Sequence, residues 1–83
     1  MIQKSTLYVV ATPIGNLRDI SLRALDVLLA VDIIAAEDTR TSRKLLVHHS
    51  ITKKIIALHQ HNERIAAKKI LGLLGEGKSV AYI

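Results

Sequence analysis

Four short apolar runs, separated by three stretches of helical periodicity, constrain this chain more than any other feature. The runs cover residues 7–11, 33–36, 55–58 and 80–83, and helices are predicted roughly over residues 20–30, 42–49 and 63–74. Runs that are apolar throughout, without polar alternation, suit strands covered on both faces. Strands alternating with helices through short connections build a parallel sheet with right-handed crossovers. The predicted fold is therefore α/β, an open parallel doubly wound sheet of about four strands.

Local signals support this reading. Asp19 and Ser21 are good N-caps ahead of Leu22, Leu25, Leu28 and Leu29 at helical spacing. Thr41 is expected to cap the second helix, with His48 and His49 forming a solvated, electrostatically favourable end. Asn62 is expected to cap the third, whose Ala66, Ile70, Leu73 and Leu74 share one face. Gly75 and Gly77 supply its stop, and Gly72 within it costs about 1 kcal/mol relative to alanine.

With 83 residues, 49% of them hydrophobic, the chain has material for one small core but not two. Tyr8 and Tyr82 are its only aromatic residues, so Leu, Ile, Val and Ala must fill that core. The absence of cysteine excludes disulfides and thiolate metal sites and fits a reducing compartment. No apolar run approaches the ~20 residues of a membrane span, and the start lacks a signal-peptide layout. A soluble, cytoplasmic chain without a membrane partner is expected. Twelve Lys and Arg against seven Asp and Glu give a net charge of +5, which suits an anionic partner such as RNA.

In open α/β sheets ligands bind beyond the carboxyl ends of the strands, so the three loops expected there matter most. The first is Thr12-Pro13-Ile14-Gly15-Asn16. It lacks the full glycine fingerprint of dinucleotide sites and no P-loop lysine follows it, which disfavours nucleotide hydrolysis. It reads either as a structural turn or as a place where a ligand approaches backbone freed of Cβ by Gly15. The second, Glu37-Asp38-Thr39-Arg40-Thr41, places adjacent carboxylates at a strand end, able to bind a ribose hydroxyl, accept a proton or pair with Arg40. Capping by Asp38, Thr39 or Thr41, with Arg40 as a solvated ion-pair partner, accounts for one of these residues but not for the run. The third is His59-Gln60-His61-Asn62-Glu63, where two imidazoles could contact substrate. A metal there would need a third ligand from Glu37, Asp38 or Glu63, and no metal site is expected.

The segments Leu7-Tyr8-Val9-Val10-Ala11-Thr12-Pro13-Ile14-Gly15-Asn16-Leu17, Asp19-Ile20-Ser21 and Arg23-Ala24-Leu25 resemble the start of the bacterial ribosomal RNA small-subunit methyltransferase I family, within the tetrapyrrole methylase superfamily. Ala35-Ala36-Glu37-Asp38-Thr39-Arg40 and Leu58-His59-Gln60-His61-Asn62-Glu63 match its next two motifs in order. The resemblance implies S-adenosylmethionine-dependent 2′-O-methylation of a cytidine ribose in small-subunit ribosomal RNA. It implies two α/β domains with the cofactor between them, of which residues 1–83 would be the amino-terminal one, and a homodimer. By residue it points to Pro13, Ile14, Gly15 and Asn16 as lining the cofactor cleft and to Glu37, Asp38, Thr39, Arg40, His59, His61 and Asn62 as its surroundings, with Thr39, Arg40, His61 and Asn62 on the substrate side. Arg40, Arg43 and Lys44 begin or follow a helix N-terminus and could hold substrate phosphates.

The catalytic group stays open among Glu37, Asp38 and His59. A motif of the type S-D-A-G-T-P is expected to follow Tyr82-Ile83. The chain therefore reads as a fragment, expected to be inactive alone. Two other readings remain open, a methylase of tetrapyrroles or other small molecules and a non-catalytic RNA-binding module.

Overall fold

A computed structural model of the chain describes residues 2–13 and 15–83. Four strands, β1 (Leu7–Val9), β2 (Ile33–Ala36), β3 (Lys54–Ala57) and β4 (Val80–Tyr82), alternate with three helices, α1 (Leu22–Ala30), α2 (Thr39–His48) and α3 (Glu63–Gly75). The strands form one sheet in the order β1-β4-β2-β3. Every pairing is parallel, with Val80 between Leu7 and Ile33, and Ile33 beside Lys54. The α/β fold read from the sequence is present.

The order explains how the helices divide. Successive crossovers from β1 to β2 and from β2 to β3 move the same way along the sheet, whereas β3 to β4 moves back. Crossovers of one hand must then put α1 and α2 on one face and α3 on the other. The core splits accordingly. Leu28 and Leu46 pack with Ile34, Ile51 and Ala81 on one side, and Ile70 packs with Ile33, Ala35, Ile56 and Val80 on the other. Residue alternation along each strand separates the two sets. All four residues of β2 are buried, as a central strand covered on both faces requires.

Coverage stops short at β1. Leu7 and Val9 lie in register with the face covered by α3, yet Leu7 is 44% and Val9 80% exposed. At the other end of the strands, Asp32 Oδ2 accepts hydrogen bonds from the Ser79 backbone N–H at 2.9 Å and hydroxyl at 3.3 Å. This ties the starts of β2 and β4 together and holds the Asp32 carboxyl below its usual range, the Ser79 N–H being the main cause.

Several boundaries differ from the sequence reading. A short 3-10 turn (Leu17–Asp19) precedes α1, so Asp19 lies within that turn and Ser21 alone caps the helix, accepting from Ala24 N–H at 3.0 Å. Leu22 and Leu29, placed on the apolar face by spacing, are exposed, while Ala24 and Leu28 are buried. The second helix begins at Thr39 because Asp38, not Thr41, is its cap. Its far end turns through Ser50 at φ 57°. There Ile51 N–H reaches Leu46 O at 2.8 Å and Ser50 N–H reaches Val47 O at 3.0 Å. This is the double hydrogen bond of a Schellman end, with serine in the left-handed position that glycine usually takes. The third helix runs through Gly72 to Gly75 and closes the same way with Gly77 at φ 87°.

Candidate functional site

Adjacent parallel strands whose exits lead to opposite faces leave a crevice between them at the carboxyl rim. Here that switch falls between β2, which exits to α2, and β3, which exits to α3. An open crevice of about 580 Å³ lies there, lined by Glu37, Asp38, Thr39, Arg40, His59, Gln60 and His61. Loops 37–41 and 59–63, well separated along the chain, thus form one site.

Each half is fixed by its own hydrogen bonds. After β2, Asp38 Oδ1 accepts from the backbone N–H groups of Arg40 at 3.1 Å and Thr41 at 3.2 Å, and Oδ2 accepts from the Thr41 hydroxyl at 2.8 Å. Hydrogen bonds from Thr41, backbone first and hydroxyl second, hold the Asp38 carboxyl below its ordinary range. A carboxylate so engaged is a weak proton acceptor. Its neighbour Glu37 is exposed and, among the described residues, has no hydrogen bond or ion pair.

After β3, Asn62 acts on the loop rather than on the helix it was expected to cap. Its Oδ1 accepts from His59 N–H at 2.8 Å and its Nδ2 donates to Ala57 O at 2.9 Å, while no side-chain cap bond reaches α3. Within the tightened turn, His61 N–H donates to His59 Nδ1 at 3.2 Å. The neutral His59 ring therefore carries its hydrogen on Nε2 and offers a donor. The His59 and His61 rings sit 5.9 Å apart, edge to face. Among the described residues no group of three or more His, Cys, Asp or Glu is arranged to hold a metal ion.

The predicted site residues thus fall into three groups. Glu37, Asp38, Thr39, Arg40, His59 and His61 line the crevice. Asn62 supports it from behind, and Arg43 stands exposed one turn further along α2. The first loop does not join them. Pro13, Gly15 and Asn16 line no part of this crevice, and Ile14 lies outside the described residues. Asn16 Oδ1 accepts from Arg18 N–H at 2.9 Å, and beyond it the Leu17 carbonyl accepts from His49 Nε2 at 2.8 Å. His49 closes the far end of α2, about 15 Å along the helix from the crevice, and this hydrogen bond ties its ring to the first loop rather than to solvent.

Gly15 has φ 102°, and apart from its chain neighbours no heavy atom of the described residues lies within 4 Å of where a Cβ would stand. The turn therefore exposes bare backbone in a conformation that L side chains rarely adopt. Such a turn fits a ligand that approaches main-chain groups closely.

Two features were missed in the sequence. Gln60 lines the crevice, and its position between the two histidines was the available signal. A second, mostly apolar cavity of about 650 Å³ lies between β1 and α1, lined among others by Ile2, Tyr8, Val10, Ala24 and Val27. Nothing in the pattern of those residues separates them from ordinary core.

A doubly wound parallel sheet with a polar, backbone-anchored crevice at its switch point defines an α/β domain with a candidate ligand site. The chain belongs to the tetrapyrrole (corrin/porphyrin) methylases, whose family profile matches residues 6–83. Among its relatives, a ribosomal RNA small subunit methyltransferase I from Neisseria meningitidis serogroup A is 56% identical over 78 residues, 94% of this chain and 27% of the relative. The protein of that name from Escherichia coli O157:H7 is 54% identical over 77 residues, 93% of this chain and 27% of the relative. That from Halalkalibacterium halodurans is 48% identical over 80 residues, 96% of this chain and 28% of the relative. The chain spans about a quarter of the length of these relatives. No helix among the described residues is long and apolar enough to cross a membrane.

Proposed function

We propose that this chain is the amino-terminal domain of a cytoplasmic, homodimeric ribosomal RNA methyltransferase. The reaction is S-adenosylmethionine-dependent 2′-O-methylation of a cytidine ribose in the small ribosomal subunit. The observation that carries the reading is the convergence of Glu37–Arg40 and His59–His61 on one crevice, together with relatives that bear a ribosomal RNA methyltransferase name. The further length of the relatives, of which this chain spans about a quarter, would supply a second domain that completes the cofactor site, so residues 1–83 alone are expected to be inactive.

The bound sulfonium donor supplies an electrophilic methyl carbon with a neutral thioether as its leaving group. Backbone groups of Pro13, Gly15 and Asn16, about 10 Å from the crevice, would hold the end of that donor remote from its methyl group, which the open, positive-φ turn favours. The task left to this chain is to align a poor nucleophile and relieve it of its proton. Three candidates share the crevice, and their hydrogen bonds rank them. Both Asp38 oxygens are occupied by the helix cap. His59 has its Nδ1 lone pair engaged by His61 N–H and presents a donor. Glu37 has both oxygens free among the described residues. Glu37 is thus assigned as acceptor of the ribose hydroxyl proton, and His59 Nε2–H as a donor that orients the ribose. Thr39, Arg40 and His61 border the same space and would bind the flanking sugar and phosphate.

The test is methyl transfer to small ribosomal subunits by the complete enzyme carrying Glu37→Gln. A fall in kcat of about 10²- to 10⁴-fold with little change in KM is expected for loss of a proton acceptor. Methyl groups recovered on a base, or transferred to corrinoid precursors and not to RNA, would refute the reading.

A further inference from the structure

Charge on α2 is distributed against the usual rule for helices. Cations are favourable at a helix C-terminus and unfavourable in the first turn, where the macrodipole is positive. Yet Arg40 stands in the first turn of α2, with Arg43 and Lys44 three and four positions on. Like charges at those spacings also repel one another along the helix. No acidic residue occurs within α2; Asp38 just before it caps the helix and attracts Arg40, but Arg43 and Lys44 have no ion-pair partner among the described residues. All three cations are exposed, and the only ion pair among the described residues is Lys78 with Glu76 at 3.7 Å. Exposed cations without an ion pair, Arg43 and Lys44, set at spacings where they repel Arg40 along the helix, point to an anionic partner, because local rules are broken at functional sites.

The place of these residues says which anion. Arg40 lines the crevice, and Arg43 and Lys44 continue outward along the exposed side of α2. Arg40 and Lys44 are about 6 Å apart along the axis, the rise of four helical residues. That spacing is close to that of successive phosphates on an extended nucleic-acid strand. Apart from Val47, the large apolar side chains of this helix, Leu45 and Leu46, are buried, so α2 offers little to insert into a lipid surface.

We propose that Arg40, Arg43 and Lys44 form a phosphate track on α2 that guides the single-stranded RNA flanking the target nucleotide out of the crevice. The inference rests on the RNA-methyltransferase reading but concerns the path of the strand, not the chemistry.

The complete enzyme is titrated with a single-stranded RNA oligonucleotide over a series of salt concentrations. Arg43→Gln with Lys44→Gln is expected to lower the slope of log K against log salt by about 0.7 for each phosphate no longer neutralised. Affinity near 100 mM salt is expected to fall about tenfold. The charge-preserving pair Arg43→Lys with Lys44→Arg should bind as the unsubstituted chain does, which separates charge from folding. The matched pair Lys68→Gln with Lys69→Gln on α3 should leave the slope unchanged. Equal weakening by the α2 and α3 pairs, no weakening by either, or weakening seen on anionic phospholipid vesicles but not on RNA would each overturn the track. Methyl transfer by the complete unsubstituted enzyme is scored separately: its absence refutes the reaction, whereas unchanged RNA binding by the α2 pair refutes only the track.

Discussion

The loops that follow β2 and β3 meet in a crevice, whereas the loop that follows β1, equally polar in sequence, lies apart from it. The difference is topological. β2 and β3 are neighbours, about 4.8 Å apart, and their chains leave toward opposite faces. β4 intervenes between β1 and β2, so the first loop starts about 10 Å from the second and about 14 Å from the third. The two regions also differ in how they are held. The crevice loops are fixed by side chains within themselves, Asp38 on one and Asn62 on the other. The first loop has its own Asn16 cap but is also anchored from outside, where His49 at the end of α2 bonds the Leu17 carbonyl just beyond it.

The largest effect that would sharpen this contrast is expected at Asn62. Asn62→Ala leaves the His59 N–H and the Ala57 carbonyl without their partner, and a half-buried unsatisfied group costs about 1–3 kcal/mol. Urea unfolding should show a lowered midpoint, and the His59 amide should exchange faster with solvent. Amides of the 3-10 turn at Leu17–Asp19 should keep their exchange rates. If those amides accelerated as much as that of His59, the two regions would not be independent.

His49→Ala is the converse experiment and should act more weakly, removing one hydrogen bond worth about 1 kcal/mol. Exchange should then accelerate at Leu17–Asp19 while the crevice amides of Arg40 and Thr41 stay protected. Loss of protection at Arg40 would mean that α2 transmits the change along its length, and the contrast between the loops would collapse.

Which elements exist was legible in the sequence; which of them are neighbours was not. Apolar runs at 33–36 and 80–83 announce buried strands by composition alone. No residue in either announces that β4 inserts between β1 and β2, because strand order is decided by crossover direction and packing. That is why two of the three predicted loops converge and the third does not. Caps were misread where two residues competed for one task. Thr41 and Asp38 are both good caps, and the structure uses Thr41 as a donor to Asp38. Asn62 sits where a cap belongs, but its side chain turns back to the strand end. The end of α2 carried no glycine signal, since Ser50 takes the left-handed position. The ranking of Glu37, Asp38 and His59 likewise needed hydrogen-bond partners, which spacing does not reveal.

The smallest expected effect tests the electrostatics of the crevice rather than its shape. Asparagine caps helices as well as aspartate does, so Asp38→Asn keeps the geometry and removes the charge. In the folded chain the Asp38 carboxyl titrates below its ordinary value of about 3.9, chiefly because Thr41 N–H and hydroxyl bond its charged form. Above that ordinary value both folded and unfolded chains are ionised, and the stabilisation is present in full. As pH falls through it toward the lowered folded value, the unfolded chain takes up the proton first and the stabilisation is lost. Thermal unfolding should therefore place the variant slightly below the unsubstituted chain at neutral pH, with the gap closing below about pH 4. The gap should also shrink as salt is added, since the group is exposed. A gap that stayed constant into acid would show that Asp38 acts as a neutral hydrogen-bonding cap. Its carboxyl would then be no weaker a proton acceptor than that of Glu37, and the assignment of proton transfer to Glu37 alone would lose its basis.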